Sequence, residues 1–416
     1  VYLQGVLQGS SSELRELAAE GLGELVSATD EATLKPFVVQ ITGPLIRIIG
    51  DRFSWQIKAA ILMTMGLLID KAGAGLKPFV PQMQTTFLKC LNDGSPKVRE
   101  AAAKDLGALS RMSARIDQLA ADLLQSIAAS ADWQARRAFV EALLCLLQNS
   151  HSRLSASTVA SVGERLESLT LKAPGNFEDR ALLADCLGQW SRAADAADLK
   201  RVLSAALTSV GNDSVEADVK HMGARTLQAL CATAYVTFRE LEALPKVLAA
   251  INKAATLSDV SIKLASARAT GRLIVSEMRI QPSAPSIEKL IPVFVALLGP
   301  DQRSEVQRAV MAALRVSARA NASALQPYLP EILPSLASLV GAVQGPLKMV
   351  AERTLAAVLQ VSEGLDVAHE ILEGGKVRGL AKTLLNDTYL RRISKLGSHN
   401  EGEEEEEDRY QDVIED

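Results

Sequence analysis

Apolar and polar positions along the chain recur with the 3.6-residue period of amphipathic helices rather than the alternation of strands. One unit repeats: an apolar helix, a short turn usually carrying Asp or Gly, then a second helix that opens on a base and continues in Ala, Leu and Gly. The opening bases are Arg15, Lys58, Arg99, Arg136, Arg180, Lys220, Lys263, Arg308 and Lys348, separated by 37 to 45 residues. Nine all-helical units of about 42 residues match the period of HEAT and armadillo arrays. The pattern predicts an all-α protein: an α-solenoid of about nine to ten HEAT/armadillo-like repeats over residues 1–396, each burying its apolar face only against its neighbours.

Local chemistry agrees with this reading. The first helices at Leu34–Ile49 and Leu76–Leu91 carry Pro36 and Pro78 in their opening turns, where a missing N–H costs little, and Pro81 falls in the same first turn. The stretch from Leu325 repeats the design with Pro327, Pro330 and Pro334, the last positioned to kink its helix. Asp51, Asp93, Asp213 and Asp301 fall in turns where an Asx side chain can cap the next helix. Gly21, Gly23, Gly107 and Ala101–Ala103 let second helices approach closely. The chain opens at Val1 within a helical pattern that no polar capping repeat precedes, so the array is expected to continue upstream. Residues 377–396 read as a closing helical segment.

Composition narrows the class. Of 416 residues, 48% are hydrophobic but only 4% aromatic, so the core must be aliphatic and suits close-packed helices. The most apolar stretch, Ala59–Ile69, is too short to span a bilayer, which argues against a membrane protein. Cys90, Cys145, Cys186 and Cys231 lie far apart with no CxxC, as expected of free thiols in a reduced, cytoplasmic setting. The net charge of −4 conceals an asymmetry. Residues 401–416 hold ten acids and one base, while residues 1–400 carry 44 bases and 39 acids. The acidic tail, residues 397–416, is expected to be disordered. It either contacts a basic partner or serves as a solubilising end.

Catalytic constellations are missing from the sequence. None of His151, His221, His369 and His399 has a second ligand at metal spacing, and no phosphate-cradling glycine loop or nucleophile motif is present. The expectation is a non-enzymatic protein with no cofactor and no metal. Surface features remain. The opening bases form a column across successive second helices. It reads either as a basic track for an acidic partner or as a ladder in which each base pairs with a turn Asp, Asp93 with Arg99 and Asp51 with Lys58. Aromatics do not interleave with it, which argues against stacking on single-stranded nucleic acid and against direct sequence-specific nucleic-acid binding. Trp55 and Trp133 sit in inter-helix turns, either as a partner-binding edge or as staples for the entering chain. The densest polar–aromatic cluster gathers Arg47, Arg52, Phe53 and Trp55 around one turn, the composition of interface anchors.

The strings from Gln8 to Val26, Leu34 to Ala60 and Leu76 to Leu109 closely resemble the C-terminal region of the general control non-derepressible protein 1 family. The likeness is strongest over residues 3–130 and returns at Leu347–Val361 and Leu385–Leu396. That family comprises very large HEAT-repeat proteins that activate the kinase of eukaryotic initiation factor 2 alpha. The resemblance implies a scaffold that grips the RWD domain of the kinase and acts on ribosomes when amino acids are short and tRNA is uncharged. Ribosome contact would then come through the full-length protein. It also implies a critical arginine among Arg15, Arg47, Arg52 and Arg99, the first three being favoured because they share the first two repeats. A HEAT scaffold for another client, as a tubulin-binding module, transport adaptor or phosphatase scaffold, is the competing expectation.

Overall fold

The computed structural model describes residues 1–49, 53–130, 133–172, 177–280, 285–361, 368 and 371–372. Asp51, Arg52, the closing segment at 377–396 and the acidic tail lie outside the described residues. Among the described residues every regular element is helical. The helices group into two compact units, Val1–Asp198 and Leu199–Asp416.

Unit 1 contains α1 (Tyr2–Gln8), α2 (Ser12–Ala28), α3 (Glu31–Leu34), α4 (Val38–Ile48), α5 (Trp55–Ala72), α6 (Val80–Cys90) and α7 (Pro96–Ser110). It continues with α8 (Ile116–Ala129), α9 (Trp133–Ser150), α10 (Ala156–Glu167) and α11 (Phe177–Trp190). The second helices stack in order: α2 on α5, α5 on α7, α7 on α9 and α9 on α11. Unit 2 is built from α12 (Ala196–Gly211), α13 (Ala217–Thr233), α14 (Tyr235–Glu240), α15 (Leu244–Thr256) and α16 (Val260–Ile280). It continues with α17 (Pro285–Leu297), α18 (Ser304–Ala320), α19 (Ala322–Leu325), α20 (Leu329–Ala342) and α21 (Pro346–Leu359). Here α13 packs on α16, α16 on α18 and α18 on α21. The described residues thus form nine helix pairs, each a HEAT repeat, and each unit is a helical stack of such repeats.

The core is aliphatic, with Leu45, Ile61, Leu62, Met65 and Leu68 fully buried in the second repeat alone. Burying one such side chain contributes about 1.5–3 kcal/mol, so a single repeat has too few to stand alone and the stack supplies the rest. Close approach is where small residues matter. A Cβ on Gly107 would lie 2.4 Å from the Cys145 Cβ and 2.9 Å from its carbonyl carbon, so α7 meets α9 nearly backbone to backbone.

Proline marks the first helices differently from the simple N1 expectation. Pro36, Pro78 and Pro327 sit in 3-10 turns (Lys35–Phe37, Gly73–Phe79, Gln326–Tyr328) that lead into α4, α6 and α20. Proline lacks the N–H that an α ladder needs, so the backbone tightens for a turn before the helix starts. Pro81 and Pro330 then occupy the first turns of α6 and α20, and α20 runs on through Pro334.

Asp93 and Asp213 do not cap as expected, and Asp51 lies outside the described residues. Other side chains cap: Ser11, Asp30, Ser155 and Asn321 accept from the backbone amides of Leu14, Thr33, Thr158 and Ala324, and Asp195 and Asp259 accept from those of Asp198 and Ile262. Asp93 precedes Ser95–Pro96, where Pro96 has no amide to offer, and Asp213 lies four residues ahead of α13. Both carboxylates tie repeats together instead, Asp93 to Lys58 at 2.8 Å and Asp213 to Lys253 at 2.7 Å. At the opposite helix ends, bases of one repeat reach back about 42 residues to carbonyls of the one before. Arg272 makes such a reach to Gln228 in mid-helix, while at the helix ends Lys71 donates to the carbonyls of Ser27 and Thr29, Arg153 to Ser113 and Lys253 to Gly211. Cations there suit the negative end of the helix dipole.

Candidate protein-binding surface

At the N-terminal turns of three successive second helices of unit 1, cations meet two rings of the predicted patch, Phe53 and Trp55. Arg15, in the first turn of α2, donates through Nε to the Gly9 carbonyl at 2.8 Å, and its guanidinium lies 5.1 Å from the centre of the Phe53 ring. Ser12 Oγ meets Ser54 Oγ at 3.4 Å, closing the seam between α2 and α5. Trp55 is the first residue of α5 and stays 42% exposed, so it does not staple the chain into the core. Instead the Lys97 ammonium of α7 stands 5.4 Å from its ring centre. Two cation–ring contacts, Arg15 with Phe53 and Lys97 with Trp55, therefore link three successive repeats. Each exposed cation–ring contact is worth about 0.5–1 kcal/mol, modest for folding but enough to hold the rings in a fixed pose.

Of the other opening bases, Lys58, Arg99, Lys220 and Lys263 are each held by groups of their own or an adjacent repeat. Lys58, nearly buried, pairs with the Asp of the following repeat, Asp93; the expected partner in its own turn, Asp51, lies outside the described residues. Burial alone would raise the Asp93 carboxyl. The Lys58 hydrogen bond, the Ser95 amide and the charges of Lys58 and Arg99 outweigh it and hold the group below the ordinary range. Arg99 spends its Nη1 on the carbonyls of Asp93 and Gly94, at 2.8 and 3.1 Å, closing its own turn. Elsewhere Lys263 donates to Gln302 Oε1 at 2.8 Å and Lys220 to the Asp213 carbonyl at 3.2 Å. Of the remaining candidates, Arg47 is exposed in the last turn of α4 and Arg52 lies outside the described residues. The side chain of Trp133 lies outside them too.

Sequence reasoning missed Lys97. Its signal was the repeat period itself, since Lys97 stands 42 residues after Trp55 and faces it from the next helix. Elsewhere the inventory of reactive groups is thin. The described residues contain no group of three or more His, Cys, Asp and Glu side chains that could hold a metal, and no helix long and apolar enough to cross a membrane. All four cysteines are free thiols. Burial pushes the Cys145 thiol up to about 11 and the Cys231 thiol up to about 12, so both stay protonated and unreactive.

Stacked helix pairs with an ordered side-chain ladder between them define a HEAT-repeat protein whose chemistry is carried by its surface. Residues 55–109 match the family of HEAT-like repeats, and residues 220–370 match the family described as GCN1-like, C-terminal HEAT repeats. The chain is 35% identical to the protein ILITYHIA of Arabidopsis thaliana, over 92% of this chain and 14% of that protein. It is 31% identical to the stalled ribosome sensor GCN1 of Homo sapiens, over 98% of this chain and 15% of that one. With the eIF-2-alpha kinase activator GCN1 of Saccharomyces cerevisiae the identity is 28%, over 88% of this chain and 14% of the relative. The chain belongs to the GCN1 family and corresponds to its C-terminal HEAT repeats. It spans about a seventh of the length of these relatives. The family match at 220–370 lies beyond the stretch at 3–130 on which the resemblance in sequence was strongest.

Among solved structures, the karyopherin Kap121p bound to the extreme C-terminus of the protein phosphatase Cdc14p superposes with a TM-score of 0.52 and 14% identity, over 94% of this chain and 42% of that one. At that identity the likeness concerns the fold alone.

Proposed function

We propose that this chain is a non-enzymatic, cytoplasmic scaffold segment of a GCN1-type translation regulator, and that its unit 1 grips the RWD domain of the initiation factor 2 alpha kinase. The observation that carries the reading is the set Arg15, Phe53, Trp55 and Lys97, half-buried at Arg15 and Phe53 and exposed at Trp55 and Lys97, with exposed Arg47 in the last turn of the preceding helix, in a chain of this family. An exposed indole held by a neighbouring cation is a preorganised anchor that loses little side-chain freedom when a partner covers it. Arginine beside it offers a planar fork for a carboxylate on the partner. The relatives named as a stalled ribosome sensor and as eIF-2-alpha kinase activators support a role in which the grip helps activate the kinase on ribosomes during amino-acid starvation. Ribosome contact then belongs to the full-length protein.

The test is capture of the purified RWD domain by the chain and by its Arg47→Ala and Trp55→Ala variants. Each variant is expected to weaken binding by about 2 kcal/mol, roughly thirtyfold. Unchanged capture by both, with the wild type binding, would remove the site from this patch. No capture by a folded wild-type chain would leave a HEAT scaffold for another client.

A further inference from the structure

Unit 2 holds a cleft of about 300 Å3 between α16 and α18. Arg268, Arg272 and Arg279 line it from α16 and Arg308 from α18, against one acid, Glu305. Positions 268, 272 and 279 fall on one face of α16 by helical periodicity, so the cations run along the cleft rather than around the helix. Its floor is made of small residues, Gly271, Ala309, Ala312 and Ala313. A Cβ on Gly271 would stand 2.5 Å from the Ala313 Cβ, so the glycine sets the helix spacing and keeps the floor free of a side chain there. Arg272 is steered by its bond to the Gln228 carbonyl at 3.0 Å, while Arg279 is exposed. Val316, 40% exposed, adds an apolar edge.

Charge on the two helices is lopsided. α16 carries Lys263, Arg268, Arg272 and Arg279 against Glu277, which is buried and accepts from Ser286 Oγ at 2.6 Å. α18 carries Arg308, Arg315 and Arg319 against Glu305. A shallow floor without deep apolar pockets, bordered by guanidinium forks, fits an extended acidic peptide better than a helix with bulky anchors.

We propose that this cleft is occupied in cis by the chain's own acidic segment, residues 401–416, whose ten acids and one base complement it. The segment is tethered to the same unit. α21 packs on α18, a wall of the cleft, and 28 residues separate the described Leu372 from Glu401. Those residues reach about 40 Å even if wholly helical and about 95 Å if extended, against helix spacings of about 10 Å. Tethering at such length supplies an effective concentration on the order of millimolar, so weak multidentate pairing suffices to fill the site. The cleft is thereby closed to other anionic ligands until one outcompetes the tail. This inference stands apart from the RWD reading, which concerns unit 1.

The experiment uses the full chain in two forms, native and with Glu403→Gln to Glu407→Gln, and a fluorescent peptide of residues 401–416 titrated by anisotropy at low and physiological salt. The peptide is expected to bind the neutralised chain and to bind the native chain roughly tenfold more weakly, because the native tail competes. Adding Arg268→Glu and Arg279→Glu to the neutralised chain is expected to weaken the peptide roughly tenfold again. Arg279→Gln alone, at an exposed position, gives a smaller loss in the same direction. Equal affinity for the native and neutralised chains overturns the proposal, as does indifference to the arginine changes. A uridine homopolymer RNA that binds the native chain as tightly as the neutralised one overturns it too, since the cleft would then be open.

Discussion

At the scale of single residues, the structure separates side chains that hold the fold from those that face outward. Asp105 illustrates the first kind. It is 6% exposed on α7, and burial first, with the charge of Asp70 second, pushes its carboxyl well above the usual range against the weaker pull of Lys104. A carboxyl raised in this way stabilises least where its unfolded form would ionise, so its cost grows as pH rises from the ordinary value toward the folded one. Asp105→Asn is therefore expected to stabilise unit 1 by about 1 kcal/mol near pH 8 and by little at acid pH, read from urea unfolding at both. Trp55 is the second kind, and the sequence alone left it open between staple and edge. A tryptophan at a helix start has the same local pattern in either role. What decides is Lys97, a contact made only when the next repeat stacks. Arg99 was legible as a base at an equivalent place but not as one closing its own turn, because that depends on where the Asp93 and Gly94 carbonyls point.

At the scale of elements, the helix pairs were readable because each repeat writes the same period of apolar and basic positions. The pairing of Lys58 with Asp93 was not, since Asp93 belongs to the following repeat and only the stack brings it within reach. The cross-repeat reach of Lys71, Arg153 and Arg272 to carbonyls of the preceding unit was equally hidden: the period gives the spacing, not the side-chain direction. The small residues were legible in kind, and Gly107 carries the strongest consequence. Gly107→Ala places a methyl group 2.4 Å from the Cys145 Cβ, forcing α7 and α9 apart, and is expected to cost about 1–3 kcal/mol despite alanine's better helix propensity. Thermal unfolding followed by circular dichroism checks this, and a stabilised variant would show that the two helices do not meet as described.

At the scale of the whole molecule, the two units answer to pH through different groups. In unit 2, His221 is 7% exposed and burial pushes it down to about 4, with Arg225 assisting and Asp259 and Asp218 opposing. Its folded form stays neutral where an unfolded imidazole, ordinarily near 6.5, takes up a proton. The stability it confers is fully present above about 6.5 and is lost as pH falls through about 4, by roughly 2–3 kcal/mol across that window. Hydrogen exchange is expected to show helices of unit 2 opening more readily as pH drops through this range. The change should be much smaller in His221→Gln. Family membership was most legible in the strings of unit 1, yet the GCN1-type family match falls at 220–370, where only Leu347–Val361 carried the resemblance in sequence.

The most direct measurement of the central claim pairs binding with stability in two variants of the full chain. Trp55→Ala is expected to weaken RWD-domain binding by about thirtyfold while moving the unfolding free energy by less than about 1 kcal/mol, because the indole is exposed. Arg99→Ala is expected to do the reverse, losing about 1–2 kcal/mol of stability with its two carbonyl hydrogen bonds and leaving affinity nearly unchanged. Calorimetric titration of the RWD domain into each, beside urea unfolding of the same samples, reads both quantities. Affinity that ignores Trp55, or that follows Arg99 instead, would contradict the assignment of this surface.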